Sequence, residues 1–101
     1  PADLTLGVMN GALPPGFDRE EPEMIEVIQR ILSAAKNAGL RACLHCGTPQ
    51  YAARAIGWGF NLTTISGDSR LLAAASAESI GQVRSLLNQH TSDPIDQKGG
   101  Y

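Results

Sequence analysis

Four places in this 101-residue sequence carry side chains able to do chemistry. The first is Asp3, in Pro1-Ala2-Asp3-Leu4, followed by the glycine-containing run from Thr5 to Gly11. A hard divalent cation such as Mg²⁺ or Mn²⁺ takes carboxylate oxygens, so Asp3 is a candidate metal ligand. On position alone a turn or helix-capping role weighs more. The second place is Cys43-Leu44-His45-Cys46. A redox C-x-x-C pair belongs at a helix N-terminus, where the dipole lowers the thiol pKa. This pair stands in a short apolar run that reads as a strand, where residues three apart point to opposite faces. A zinc site needs about four ligands, and only His45 and the distant His90 are available to join. Two small strand residues are the expectation.

The third place is Asp68, after Ser66-Gly67, better read as a helix N-cap than as a catalytic acid. The fourth is Glu20, Glu21 and Glu23, which read as the solvated start of a helix. His90 lies in a polar segment and reads as solvated, and Trp58 as a packing residue between helix and strand.

Composition narrows the function classes. A net charge of −2, with eight scattered Lys and Arg, argues against a nucleic-acid partner, because phosphate binding needs a basic face. No apolar stretch approaches the roughly 20 residues that a membrane helix requires, and no signal peptide is visible. Cytoplasm is the default expectation. With 43 % hydrophobic and 18 % charged residues the chain is of ordinary globular type. No G-x-G-x-x-G and no G-K-S/T stands in the sequence, so neither a dinucleotide fingerprint nor a P-loop is present.

The elements that position these residues follow from pattern. Residues 1–8 read as the end of a strand and the turn after it, and residues 9–21 as a loop. Pro22 suits the first position of a helix in which Met24, Val27, Ile28, Ile31, Leu32 and Ala35 recur at three- and four-residue steps. Gly39 ends it. Arg41 to Cys46 reads as a strand, and Gly47-Thr48-Pro49 as the turn into a second helix carrying Tyr51, Ala52, Ala55 and Ile56 up to Gly57-Trp58-Gly59. Phe60 to Ile65 reads as a strand, and residues 69–88 as a helix with Leu71, Leu72, Ala75, Ile80, Val83, Leu86 and Leu87 on its apolar side. Residues 89–101 read as a polar, extended tail.

Strands alternating with helices imply a parallel sheet with right-handed crossovers. About three βα units are expected, too few to cover both faces of a parallel sheet. The pattern predicts an α/β fold; in a (β/α)₈ TIM barrel, whose full length is about 250 residues, the chain would be the C-terminal part. A flavodoxin-like sheet would also need more strands.

Several segments, in order, carry a family likeness. Pro1-Ala2-Asp3-Leu4-Thr5-Leu6-Gly7-Val8-Met9 resembles the (G)-P-x-D-L-S/T segment of the HpcH/HpaI family of class II pyruvate aldolases, whose type member is 4-hydroxy-2-oxoheptanedioate aldolase. Pro22 to Gly39 is similar to that family's next helix, and Ala42 to Thr48 to its following strand and turn. Gly57-Trp58-Gly59-Phe60, Ser66-Gly67-Asp68-Ser69-Arg70-Leu71-Leu72 and Lys98-Gly99-Gly100-Tyr101 resemble its later segments.

The resemblance implies a (β/α)₈ lyase with a divalent metal (Mg²⁺, Mn²⁺ or Co²⁺) held by one Glu and one Asp. It would cleave 4-hydroxy-2-oxo acids to pyruvate and an aldehyde through a metal-stabilised enolate. Asp3 falls on the metal aspartate. Pro1 and Ala2 fall on the segment beside the pyruvate carboxylate, and His45 on a position lining the aldehyde side. There the family usually has an apolar residue. His45 either hydrogen-bonds a polar aldehyde or is a strand-end imidazole untouched by substrate. The implied metal Glu, base and Arg have no counterpart here, so no catalytic residue is assigned. The chain is expected to be a C-terminal fragment, inactive alone, lacking the N-terminal part of the barrel. Family members form homo-oligomers, commonly hexamers, with the last helix packed on a neighbour. Two alternatives remain: a small non-catalytic α/β interaction module, and a related barrel lyase acting on acyl-CoA substrates.

Overall fold

The computed structural model describes residues 2–92, and only the backbone of the last two. Pro1 and residues 93–101, with the Lys98-Gly99-Gly100-Tyr101 ending, lie outside the described residues. The chain divides into two units, Pro1–Ser66 and Gly67–Tyr101.

The first unit runs α1 (Ala2–Met9), α2 (Pro22–Asn37), β1 (Cys43–Cys46), α3 (Pro49–Trp58) and β2 (Leu62–Ile65). Pro22 starts α2 with its fixed φ, Glu23 stands in the first turn and Lys36 in the last, each favourable to the helix dipole. Met24, Ile28 and Leu32, four residues apart, are its buried side chains. The helix closes with the two bonds of a Schellman motif, Gly39 N–H to Lys36 O at 2.9 Å and Leu40 N–H to Ala35 O at 2.9 Å. Gly39 takes φ +72°, which a side chain would resist.

β1 and β2 pair in parallel, with Cys43 opposite Leu62, Leu44 opposite Thr63, His45 opposite Thr64 and Cys46 opposite Ile65. Helix α3 makes the crossover between them. Both strands are shorter than expected because the ladder gives way at its start to a side chain. Asn61 Oδ1 accepts the Ala42 N–H at 3.0 Å, while Asn61 N–H donates to Ala42 O at 2.8 Å. The core joins Ile28 and Leu32 of α2, Ala42 and Cys46, Tyr51, Ala52 and Ala55 of α3, and Phe60. Leu4, Ala35, Leu44 and Trp58 pack against it.

The expected C-terminal part of a (β/α)₈ TIM barrel, with three βα units, is not what folds. The described residues are mainly helical, with four helices and one two-stranded sheet. The difference begins at residues 1–8, expected as a strand end and turn, where α1 spans Ala2–Met9. Ala2, Leu4, Leu6 and Met9 favour helix, and Asp3 in the first turn complements the dipole. Docking of Leu4 on the core and full burial of Thr5 fix the segment in that form. The β-branched and glycine residues at Thr5, Gly7 and Val8 are weaker signals than this packing.

The second unit is described through α4, Asp68–Ser92. Leu71 N–H bonds Gly67 O at 2.9 Å, and Asp68 Oδ1 accepts the Ser69 N–H at 2.7 Å, so Asp68 serves the helix start. The helix continues past Asn88, where an extended tail was expected. No glycine or proline interrupts residues 82–92, and Pro94 is the next residue that disfavours helix before it. Leu71, Leu72, Ile80, Val83, Leu86 and Leu87 of α4 are all exposed. No helix of the described residues is long and apolar enough to cross a membrane.

Candidate functional site at the carboxyl end of β1

In parallel α/β units ligands gather at the carboxyl ends of the strands. Here that end is His45-Cys46-Gly47-Thr48. Alternation along β1 turns Leu44 and Cys46 toward the core and leaves Cys43 and His45 exposed. His45 Nδ1 lies 2.6 Å from Thr64 Oγ1, its register partner on β2. The Phe17 ring meets the imidazole edge-on, with centroids 5.0 Å apart. One ring nitrogen is thus engaged, and Nε2 has no partner among the described residues.

Residues 17–20 lie along the β1–α3 junction, and each of the four touches it. Phe17 contacts His45. The Asp18 carboxylate accepts the Gly47 N–H on Oδ1 and the Thr48 hydroxyl on Oδ2, both at 2.7 Å. Tyr51 O–H donates to Arg19 O at 2.7 Å. Arg54 Nη1 bonds both oxygens of Glu20, at 2.7 and 2.6 Å. Thr48 also caps α3, its Oγ1 accepting the Tyr51 N–H at 3.2 Å, and Pro49 follows at the first helical position. The close approach depends on Gly47: a Cβ there would stand 3.2 Å from Asp18 Oδ2 and 3.3 Å from Phe17 Cβ.

Two groups in this region are shifted. Burial pushes the Cys46 thiol up, and the Asp18 carboxylate pushes it the same way. The Tyr51 phenol is pushed up to about 12, first by burial and then by the Glu20 carboxylate, against an opposing pull from Arg54. Arg54 stacks near the Tyr51 and Trp58 rings, 5.5 and 5.3 Å from their centroids. Trp58 is a packing residue, edge-on to Tyr51 at 5.7 Å.

The other expected site residues lie apart from these contacts. Asp3 is exposed in the first turn of α1, where no hydrogen bond or ion pair with another described residue engages its carboxylate. Ala2 is half-buried at the start of the same helix, and Pro1 is outside the described residues. Cys43 is exposed and Cys46 buried, both free thiols, on opposite faces as their spacing requires. Among the described residues no three His, Cys, Asp or Glu side chains stand together to hold a metal ion. The donor set offered is the single carboxylate of Asp3. It suits a magnesium-like ion, which keeps waters and takes one or two carboxylates, only as one member of a ligand set.

Asp18, Phe17 and Thr64 carry no periodic or motif signal and are absent from the sequence expectations. The Thr48-Pro49 pair is a legible helix start, and a search for the partner of its hydroxyl would lead to Asp18. No protein-family model matches this sequence, and no curated protein matches it.

Proposed function

We propose that the chain belongs to a divalent-metal-dependent aldolase that cleaves 4-hydroxy-2-oxo acids to pyruvate and an aldehyde. Asp3 would supply one carboxylate to the metal. The ordered likeness of the segments from Pro1 to Leu72 to the HpcH/HpaI aldolases is the sequence support.

The structural observation that carries the proposal is the start of α1 at Ala2. The first amides of a helix have no intrahelical acceptor, so the N–H groups of Ala2, Asp3 and Leu4 could serve an anion such as the pyruvate carboxylate. The anchoring of Leu4 and Thr5 holds that end on the core while Asp3 stays exposed. When bound, the metal supplies Lewis-acid stabilisation of developing negative charge on the substrate. Ala2 and its neighbours orient the carboxylate, and His45 offers a hydrogen bond from the end of β1. In this reading a second carboxylate, from a residue other than those that carry the likeness, would complete the metal site.

A second proposal has its own observation. An acid in the first turn of a helix stabilises the dipole without any ligand, and Asp3 holds that place. A small non-catalytic interaction module would need nothing more of it. Mn²⁺- or Mg²⁺-dependent exchange of pyruvate methyl protons by the full-length protein separates the two. Exchange that is lost in Asp3→Ala supports the aldolase. Absent exchange supports the module, and exchange unchanged in the variant contradicts the role given to Asp3.

A further inference from the structure

We infer that residues 11–18 form a strap that opens as one body from the carboxyl end of β1, hinged at Asn10–Gly11 and latched by Asp18. The hinge is marked by two successive residues in the left-handed region, Asn10 at φ +45° and Gly11 at φ +84°, directly after α1 ends. Ala12 N–H still bonds Met9 O at 2.8 Å, closing a turn at that point. Residues 13–16 then make no hydrogen bond with any described residue, so nothing polar ties the middle of the strap to the unit.

The far end is fixed. Tyr51 holds the Arg19 carbonyl and Arg54 holds Glu20, so motion stops there. Between hinge and anchor stands the latch, where one carboxylate takes both the Gly47 N–H and the Thr48 hydroxyl. Asp18 is itself at φ +51°, a conformation that costs a non-glycine residue energy and is sustained by those two bonds. A strap without hydrogen bonds in its middle, strained at its latch and pinned beyond it is built for two discrete arrangements. In the open one the Gly47 N–H, the Thr48 hydroxyl and the Phe17-facing side of His45 become available together. The strap thereby gates the strand end on which the candidate site is built, whatever ligand that site takes.

The test is NMR on the complete protein. Relaxation dispersion is expected to give one common exchange rate for residues 12–18, the Gly47 amide and the His45 ring. The Gly47 amide is expected to exchange with solvent roughly tenfold or more faster than the Asn61 and Ser66 amides, which bond Ala42 O and Cys46 O. Two variants open the latch by different means: Asp18→Ala removes the carboxylate, and Gly47→Ala pushes against it from the far side. Each is expected to speed exchange at position 47 by about tenfold more than it speeds exchange of the Asn61 and Ser66 amides. Unrelated rates for the strap and Gly47, or no change at position 47 in Gly47→Ala, would overturn the proposal. So would an equal rise at positions 47, 61 and 66, which marks general loosening and not a strap. Gly47→Ala decides the matter even if Asp18→Ala does not fold.

Discussion

Asp18 Oδ1 accepts the Gly47 N–H at 2.7 Å across 29 positions of sequence, joining the α1–α2 connection to the turn that leaves β1. Its other oxygen takes the Thr48 hydroxyl, which in turn caps α3. One carboxylate therefore settles both the path of a loop and the start of a helix. Hydrogen bonds to a charged group contribute about 1.5–3 kcal/mol each when the partner would otherwise be left unpaired. These groups are partly solvated, so Asp18→Ala is expected to lower stability by about 2 kcal/mol in urea unfolding. A loss below about 0.5 kcal/mol, the scale of an ordinary surface substitution, would show that the contact is incidental.

Glycines at two neighbouring positions should respond in opposite directions. Gly59 ends α3 at φ +116°, so Gly59→Ala is expected to cost about 1–2 kcal/mol. Gly57 lies inside α3, and a Cβ there meets nothing within 4 Å, so Gly57→Ala is expected to add about 0.5–1 kcal/mol. Thermal unfolding of the pair measures both. Shifts of the same sign would contradict the helix end placed at Gly59.

Much of this was legible in the sequence, and the limits are physical. Helix α2 can be read because Met24, Ile28 and Leu32 repeat at the helical step between Pro22 and Gly39, both of which punctuate it. β1, α3 and β2 can be read because Gly47, Pro49 and Gly59 stand at their boundaries. α1 cannot, because eight residues hold too little periodicity to outweigh Thr5, Gly7 and Val8, and its form is set by contacts of Leu4 and Thr5 with distant residues. The strap contacts are hidden for the same reason: Asp18 and Gly47, like His45 and Thr64, meet only through the tertiary fold. The place of His45 on β1 can be read from the sequence, whereas Thr64 as its neighbour cannot.

The two thiols should differ in reactivity. Cys43 is exposed, whereas Cys46 is buried and its thiol is pushed up by burial and by Asp18, which disfavours the reactive thiolate. Labelling of the native protein with a thiol reagent near pH 8 is expected to show one fast and one slow site, with the slow one abolished by Cys46→Ala. Two sites of equal rate would contradict the orientation of β1.

Tyr51 makes stability depend on pH in the alkaline range. Its pKa is raised from 10.0 to about 12 in the folded chain, so the folded state retains a proton that the unfolded state gives up. The stabilisation is fully present below pH 10 and is lost as pH rises through about 12. Tyr51→Phe is expected to flatten this part of the stability profile. It also removes the bond to Arg19 O, at a cost of about 1 kcal/mol at neutral pH. An unchanged alkaline profile in the variant would assign the pH dependence to other groups.

The proposed aldolase chemistry turns most directly on the exposed carboxylate at the start of α1. Pyruvate methyl-proton exchange, followed by NMR in deuterated buffer with the full-length protein and Mn²⁺ or Mg²⁺, isolates the enolate-forming step without an aldehyde. Exchange that requires the metal and is lost in Asp3→Ala, with helix content and unfolding midpoint unchanged, is the predicted result. No metal-dependent exchange, or the same exchange in the variant as in the native chain, would contradict it.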